Sequence, residues 1–196
     1  YLDWSTRHSV RRATRTIAVS HATAQDLAAH YDVPEDQIAL VYSGVDQTLA
    51  RVDDSAQIAA VRARYGLPER YLLFVGTLQP RKNIARMVQA YSRWRESQST
   101  PDVALVLAGQ QGWLYDPSWT EGAEGVILPG YVDDADVAAL YSDAQALLFP
   151  SLHEGFGFPV LEAMRCGTPV ITSNTSSLPE VAGDAALMVN AREVDD

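Results

Sequence analysis

Short runs of aliphatic and β-branched residues recur along this chain, and each is apolar throughout rather than at every second position. They fall at 16–20, 38–42, 71–75, 103–108, 125–128, 146–149, 169–172 and 185–189. A strand with one wet face alternates; a strand covered on both faces does not. The runs therefore predict parallel strands inside a sheet clad with helices. The stretches between them have helical spacing. Residues 21–31 follow Ser20, whose side chain suits an N-cap, and residues 54–65 stop before Gly66. Residues 83–96 place Ile84, Met87, Val88 and Tyr91 on one face, and residues 134–142 do the same with Val137, Leu140 and Tyr141. Residues 159–165 open on Pro159 and end near Gly167. Strand and helix in alternation predict an α/β fold with a doubly wound parallel sheet.

The chain has 196 residues, or roughly 1.3 domains at about 150 residues each. One full domain and a leading piece fit that length, and we expect a part of a longer protein. The polar, irregular stretch 45–55 marks the joint. Lys and Arg number 15 against 25 Asp and Glu, a net charge of −10, which argues against sequence-independent nucleic-acid binding. A small phosphate ligand needs only two or three local cations and remains open. One cysteine, Cys166, excludes an internal disulfide and a cysteine zinc site. A reduced, cytosolic setting follows. No apolar run approaches the roughly 18 residues of a membrane span, and the first residues lack a signal-peptide core. The Asn174-Thr175-Ser176 triplet matches a glycosylation acceptor but carries nothing in a cytosolic chain.

Ligands of a doubly wound sheet bind at the carboxyl ends of its strands, so the loops after the apolar runs hold the candidates. After 71–75 comes Gly76-Thr77-Leu78-Gln79-Pro80-Arg81-Lys82-Asn83. Arg81 and Lys82 stand at a helix entrance, where cations are unfavourable unless an anion compensates them. A diphosphate would do so, with Arg81 forking onto its oxygens. The alternative is a solvated loop with two surface cations. After 146–149 comes Ser151-Leu152-His153-Glu154-Gly155-Phe156-Gly157-Phe158-Pro159, with Glu162 one turn into the next helix. Glu154 and Glu162 on one cleft would accept from sugar or ribose hydroxyls; two solvated acids beside a glycine turn are the alternative. Gly130-Tyr131-Val132-Asp133 offers an aromatic ring and backbone amides to a base, or a Tyr anchoring a turn. Gly109 allows close approach to a ligand, or simply a turn. His8, His21, His30 and His153 have no metal-ligand spacing, and no Walker A, G-x-G-x-x-G or G-x-S-x-G string is present. His153 beside Glu154 fits a structural role better than a base, and Cys166 fits packing better than nucleophilic chemistry.

The string from Glu154 to Glu162, continuing through Ala163-Met164-Arg165-Cys166-Gly167-Thr168-Pro169-Val170, resembles the E-x7-E signature of family 4 (group 1) retaining glycosyltransferases. The resemblance extends over 76–83, 130–132 and 173–180 and covers most of 38–196. It implies the GT-B architecture, two Rossmann-like domains across a cleft, of which this chain is mainly the C-terminal, donor-binding one. Residues 1–42 would then be a strand–helix–strand remnant of the N-terminal acceptor domain. Residues 43–196 would be the nucleotide-sugar domain, cut before its closing helix. Carried over, Arg81 and Lys82 clamp the donor diphosphate, and Glu154 contacts the transferred sugar. Amides at Phe156, Gly157 and Phe158 assist, Glu162 holds the ribose, and Tyr131 and Val132 meet the base. Gly76 and Gly109 lie along the donor. No metal or other cofactor is implied. The loops at 76–83 and 176–180 are similar to those of mannosyltransferases using GDP-mannose, with a UDP-sugar the alternative. The implied partners are that donor and a glycan or lipid-linked acceptor in polysaccharide or glycolipid synthesis. Peripheral contact with the inner face of a membrane is left open for the full-length protein. Two other readings stay open: a nucleotide-sugar-binding module without turnover, and a flavodoxin-like domain. The latter lacks an acidic cluster after its first strand.

Overall fold

In the computed structural model, residues 2–99 and 102–195 are described; Tyr1 and Asp196, at the outer ends of the two expected segments, lie outside them. Strands β1 (Thr16–Ala18) and β2 (Ile38–Leu40) flank helix α2 (His21–Tyr31), preceded by α1 (Leu2–Arg12). Then follow α3 (Ser55–Tyr65), β3 (Tyr71–Val75), α4 (Ile84–Glu96), β4 (Ala104–Ala108) and β5 (Val126–Gly130). The chain continues through α5 (Asp134–Asp143), β6 (Ala146–Phe149), α6 (Phe158–Arg165), β7 (Val170–Ser173), α7 (Leu178–Ala182) and β8 (Leu187–Val189).

β1 and β2 pair in parallel as a small separate sheet. The other strands form one sheet in the order β5-β4-β3-β6-β7-β8, with all of these pairings parallel. The chain winds outward from β3 through β4 to β5, returns to lay β6 against the other side of β3, and winds outward again. The crevice of such a sheet opens at the carboxyl ends of β3 and β6, where the winding reverses.

Burial explains why the apolar runs do not alternate. Every residue of β4 is buried, and Leu73, Phe74, Leu147 and Phe149 of β3 and β6 are wholly inaccessible. Each such side chain contributes roughly 1.5–3 kcal/mol on leaving water. α4 covers the sheet with Ile84, Met87, Val88 and Tyr91, and α5 with Leu140 and Tyr141. Cys166 is fully buried among them, as expected of a packing residue, and burial pushes its thiol pKa up.

Local signals set the helix ends. The Ser20 hydroxyl accepts from the Thr23 amide, and Asp54 accepts from the Ala56 amide, so α3 starts one residue after its cap. Gly66 closes α3 in the left-handed region. α1 has no counterpart in the sequence reading because its residues are mostly polar and form no apolar stripe. Arg7 instead lies over the Tyr31 ring of α2, 5.2 Å from its centroid.

Candidate active site

The loops after β3 and β6 meet at the reversal of winding. The first does not run straight into a helix as its spacing suggests. Pro80–Lys82 forms a single 3-10 turn, and Asn83, at φ 62°, breaks the chain before α4 begins. That break turns Lys82 inward. Its ammonium lies 2.6 Å from Glu154 Oε1 and over the Phe149 ring, 4.5 Å from the centroid. Arg81 reaches the other oxygen, Glu154 Oε2, at 2.7 Å and donates to the His153 carbonyl at 2.9 Å.

The expectation for this cluster therefore changes in one respect. The anion that compensates the two cations in this structure is Glu154 itself. Its carboxylate is fully engaged beneath the loop, so Glu154 and Glu162 do not form a pair of open acids. Lys82 and Glu154 side chains are each 8% exposed, against 46% for Arg81. Burial alone would raise the Glu154 pKa, but Lys82 and Arg81 outweigh it and hold the carboxyl below its ordinary value. Burial lowers the Lys82 pKa, with Glu154 resisting that shift. The three side chains thus form a net-positive unit with one partly exposed member.

A cavity of about 810 Å³ opens beside the cluster, within the usual span of roughly 300–1,000 Å³ for small-molecule sites. Gly76 joins the two: it lines the cavity, and a Cβ placed there would lie 3.8 Å from Lys82 Nζ. Gly109, Tyr131, Val132 and Glu162 line the cavity too. Tyr131 is exposed and donates to Asp134, while Val132 is buried. Glu162 Oε2 accepts from the Tyr141 hydroxyl at 2.9 Å; burial keeps that phenol protonated, so it acts as a donor. Glu162 Oε1 has no partner among the described residues.

Gly109 is also required by the backbone itself. A Cβ there would stand 2.0 Å from the Gly76 carbonyl oxygen, so the crossing of two backbones excludes any side chain. Gly157, at φ 112°, would drive a Cβ to 2.7 Å from Leu178. Phe156 is buried and stacks edge-on against the exposed Phe158, with ring centroids 5.3 Å apart. His153 meets Asp26 of α2 at 2.9 Å, a structural contact. Among the described residues, no group of three or more His, Cys, Asp or Glu is placed to hold a metal ion. Thr77, Gln110 and Thr48 also line the cavity. Sequence reading missed them because polar loop residues carry no periodic signal.

Comparison with known proteins agrees with this architecture. The model of the glycosyl transferases group 1 family matches residues 57–196, more than two thirds of the chain, and that of Glycosyltransferase Family 4 matches residues 1–49. The chain is 35% identical over 206 residues to O-antigen chain mannosyltransferase B of Escherichia coli, a match covering 100% of this chain and 52% of that protein. It is 36% identical over 192 residues to the serotype-specific mannosyltransferase WbdA of the same species, covering 94% of this chain and 24% of WbdA. The chain thus spans about half or less of the length of these curated relatives. The crystal structure of Anabaena Alr3699/HepE in complex with UDP and glucose superposes with a TM-score of 0.82 at 20% identity, over 100% of this chain and 55% of that one. At that identity the likeness is one of fold, the Rossmann-like half of a GT-B glycosyltransferase. The family match, the winding of the sheet and the paired loops at its reversal lead to one conclusion: the chain belongs to the group 1 glycosyl transferases.

Proposed function

We propose that this chain is the donor-holding half of a retaining hexosyltransferase. In this reading the full-length protein moves mannose from GDP-mannose to a glycan or lipid-linked acceptor, with no divalent metal. The observation that carries it is the Arg81–Lys82–Glu154 cluster, set at the reversal of winding beside a nucleotide-sized cavity. The choice of mannose is supported by the likeness to two mannosyltransferases of Escherichia coli.

Bond breaking sends the electron pair of the sugar C1–O bond onto the departing diphosphate. A new C1–O bond forms to an acceptor hydroxyl on the same face, and the acceptor's proton leaves with the diphosphate. Fixed cations stabilise the charge that develops there, a service often left to a metal. Lys82 is held in place by Glu154, while Arg81, half exposed, is free to swing from Glu154 onto a phosphate. Glu162 keeps one carboxylate oxygen open for ribose hydroxyls. The ring of Tyr131 and the backbone at Val132 meet the base. Among the described residues no helix is long and apolar enough to cross a membrane. The proposed site of action is the cytoplasmic side, with peripheral membrane contact by the full-length protein.

The test is sugar transfer by the full-length protein from GDP-mannose and UDP-glucose, with EDTA present, beside Arg81→Ala and Glu162→Ala. The reading predicts transfer from GDP-mannose that survives EDTA, falls by about 10²–10³ in Arg81→Ala, and shows a raised donor KM in Glu162→Ala. Transfer from UDP-glucose alone would replace the donor. Nucleotide binding without transfer would make the protein a binding module, and transfer indifferent to both substitutions would refute the site.

A further inference from the structure

The loop from Glu154 to Gly157 is held from behind by hydroxyl groups. The Ser176 hydroxyl donates to the Glu154 carbonyl at 2.6 Å, and the Ser177 hydroxyl donates to the Phe156 carbonyl at 2.7 Å. The carbonyl between them, that of Gly155, accepts from two hydroxyls of the distant α2 region: Ser20 at 2.6 Å and Thr23 at 3.0 Å. Each hydroxyl has a single proton, and this assignment spends all four on successive carbonyls. Ser20 and Ser177 are wholly buried.

A trans peptide points its C=O and the following N–H in opposite directions, and no peptide here is cis. Tying back the carbonyls of Glu154, Gly155 and Phe156 therefore aims the amides of Gly155, Phe156 and Gly157 away from the anchors. None of these three amides has an acceptor among the described residues. Phe156 and Gly157 are buried and Gly155 is exposed; unpaired donors on buried backbone are costly, and an oxygen-rich ligand would relieve that cost.

We infer that Ser20, Thr23, Ser176 and Ser177 are positioning residues that fix the loop so that its amides meet the oxygens of the nucleotide-sugar donor. The inference rests on the donor reading proposed above. It adds that the loop is complete only when α2 is docked on it. A second contact supports that docking: the His21 amide at the start of α2 donates to the Glu180 carboxylate at 2.8 and 3.1 Å. The small leading sheet and the donor loop are thus latched through side chains that never touch the donor.

Hydrogen exchange across 151–158 in the full-length protein tests this, for the wild type, Thr23→Val, Ser177→Ala and Thr23→Ser, with and without GDP-mannose. Donor KM and kcat are measured alongside. The Glu154 amide, bonded to Ser176 Oγ at 3.0 Å, exchanges about tenfold faster in Thr23→Val and Ser177→Ala, the scale of one lost hydrogen bond. Their donor KM rises about tenfold too, while Thr23→Ser, which keeps its hydroxyl, stays close to wild type. Exchange and KM unchanged in both hydroxyl-deleted variants would overturn the inference, and so would a Thr23→Ser variant as impaired as Thr23→Val. If the loop loosens in the variants but the wild type gains no protection from donor, the latch stands and the donor reading falls.

Discussion

Lys82 and Glu154 are buried ions, each tolerable only beside the other. Removing one partner of such a pair strands the second charge, at a cost of about 3–5 kcal/mol. Lys82→Met should lose about that much in denaturant unfolding, and Lys82→Met with Glu154→Leu should lose less than the single substitution, because no orphan charge is left. The pH dependence has a definite sign. Glu154 titrates below its reference value of 4.5 in the fold. Its ionised form therefore stabilises the protein above pH 4.5, and that contribution is lost only as pH falls through the lower folded value. Lys82 titrates below 10.5. A diphosphate prefers the protonated ammonium, so donor affinity should decline at a pH lower than 10.5, and Lys82→Arg should abolish that decline. Calorimetric titration across pH reads both.

At the scale of elements, the strands were legible because burial on both faces leaves unbroken apolar runs. β3 and β6 begin and end where their runs do. α2 was legible for a different reason: the Ser20 side chain caps its start. α1 was not: its i,i+4 Arg7–Asp3 pair and Trp4–His8 stack lie on an exposed, mostly polar helix, and Arg7 over Tyr31 depends on a neighbour. The turn at Pro80–Lys82 was not either. It depends on Asn83 in the left-handed region, whose side-chain Nδ2 donates to the Pro150 and Ala191 carbonyls across the fold. The site followed the same division. Arg81, Lys82, Glu154 and Glu162 could be named from charge and loop position, but the burial of Glu154 against the cations depends on tertiary packing. Gly109→Ala belongs to this scale: its Cβ would enter the Gly76 backbone where β3 and β4 end. We predict a loss of at least about 2 kcal/mol, seen as a fall in Tm of roughly 4–8 °C for a chain of this size.

For the whole molecule, the site lies where the sheet reverses its winding, and its parts come from loops far apart in sequence. The loop after β3 supplies the cations, the loop after β6 the carboxylate and the glycines, and the start of α2 and the loop after β7 supply the hydroxyls that tie that loop back. The overall charge of −10 makes the local cationic cluster stand out against an acidic molecule. In the proposed function a diphosphate would be drawn by two side chains and not by the general field. In the proposed function these two cations receive the donor's diphosphate. Calorimetric titration of the full-length protein with GDP in EDTA, wild type beside Arg81→Ala, tests it most directly. Binding is expected in the wild type, with a loss of about 1.5–3 kcal/mol, the worth of a charge-assisted hydrogen bond, in Arg81→Ala. Equal affinity in the two proteins would contradict it.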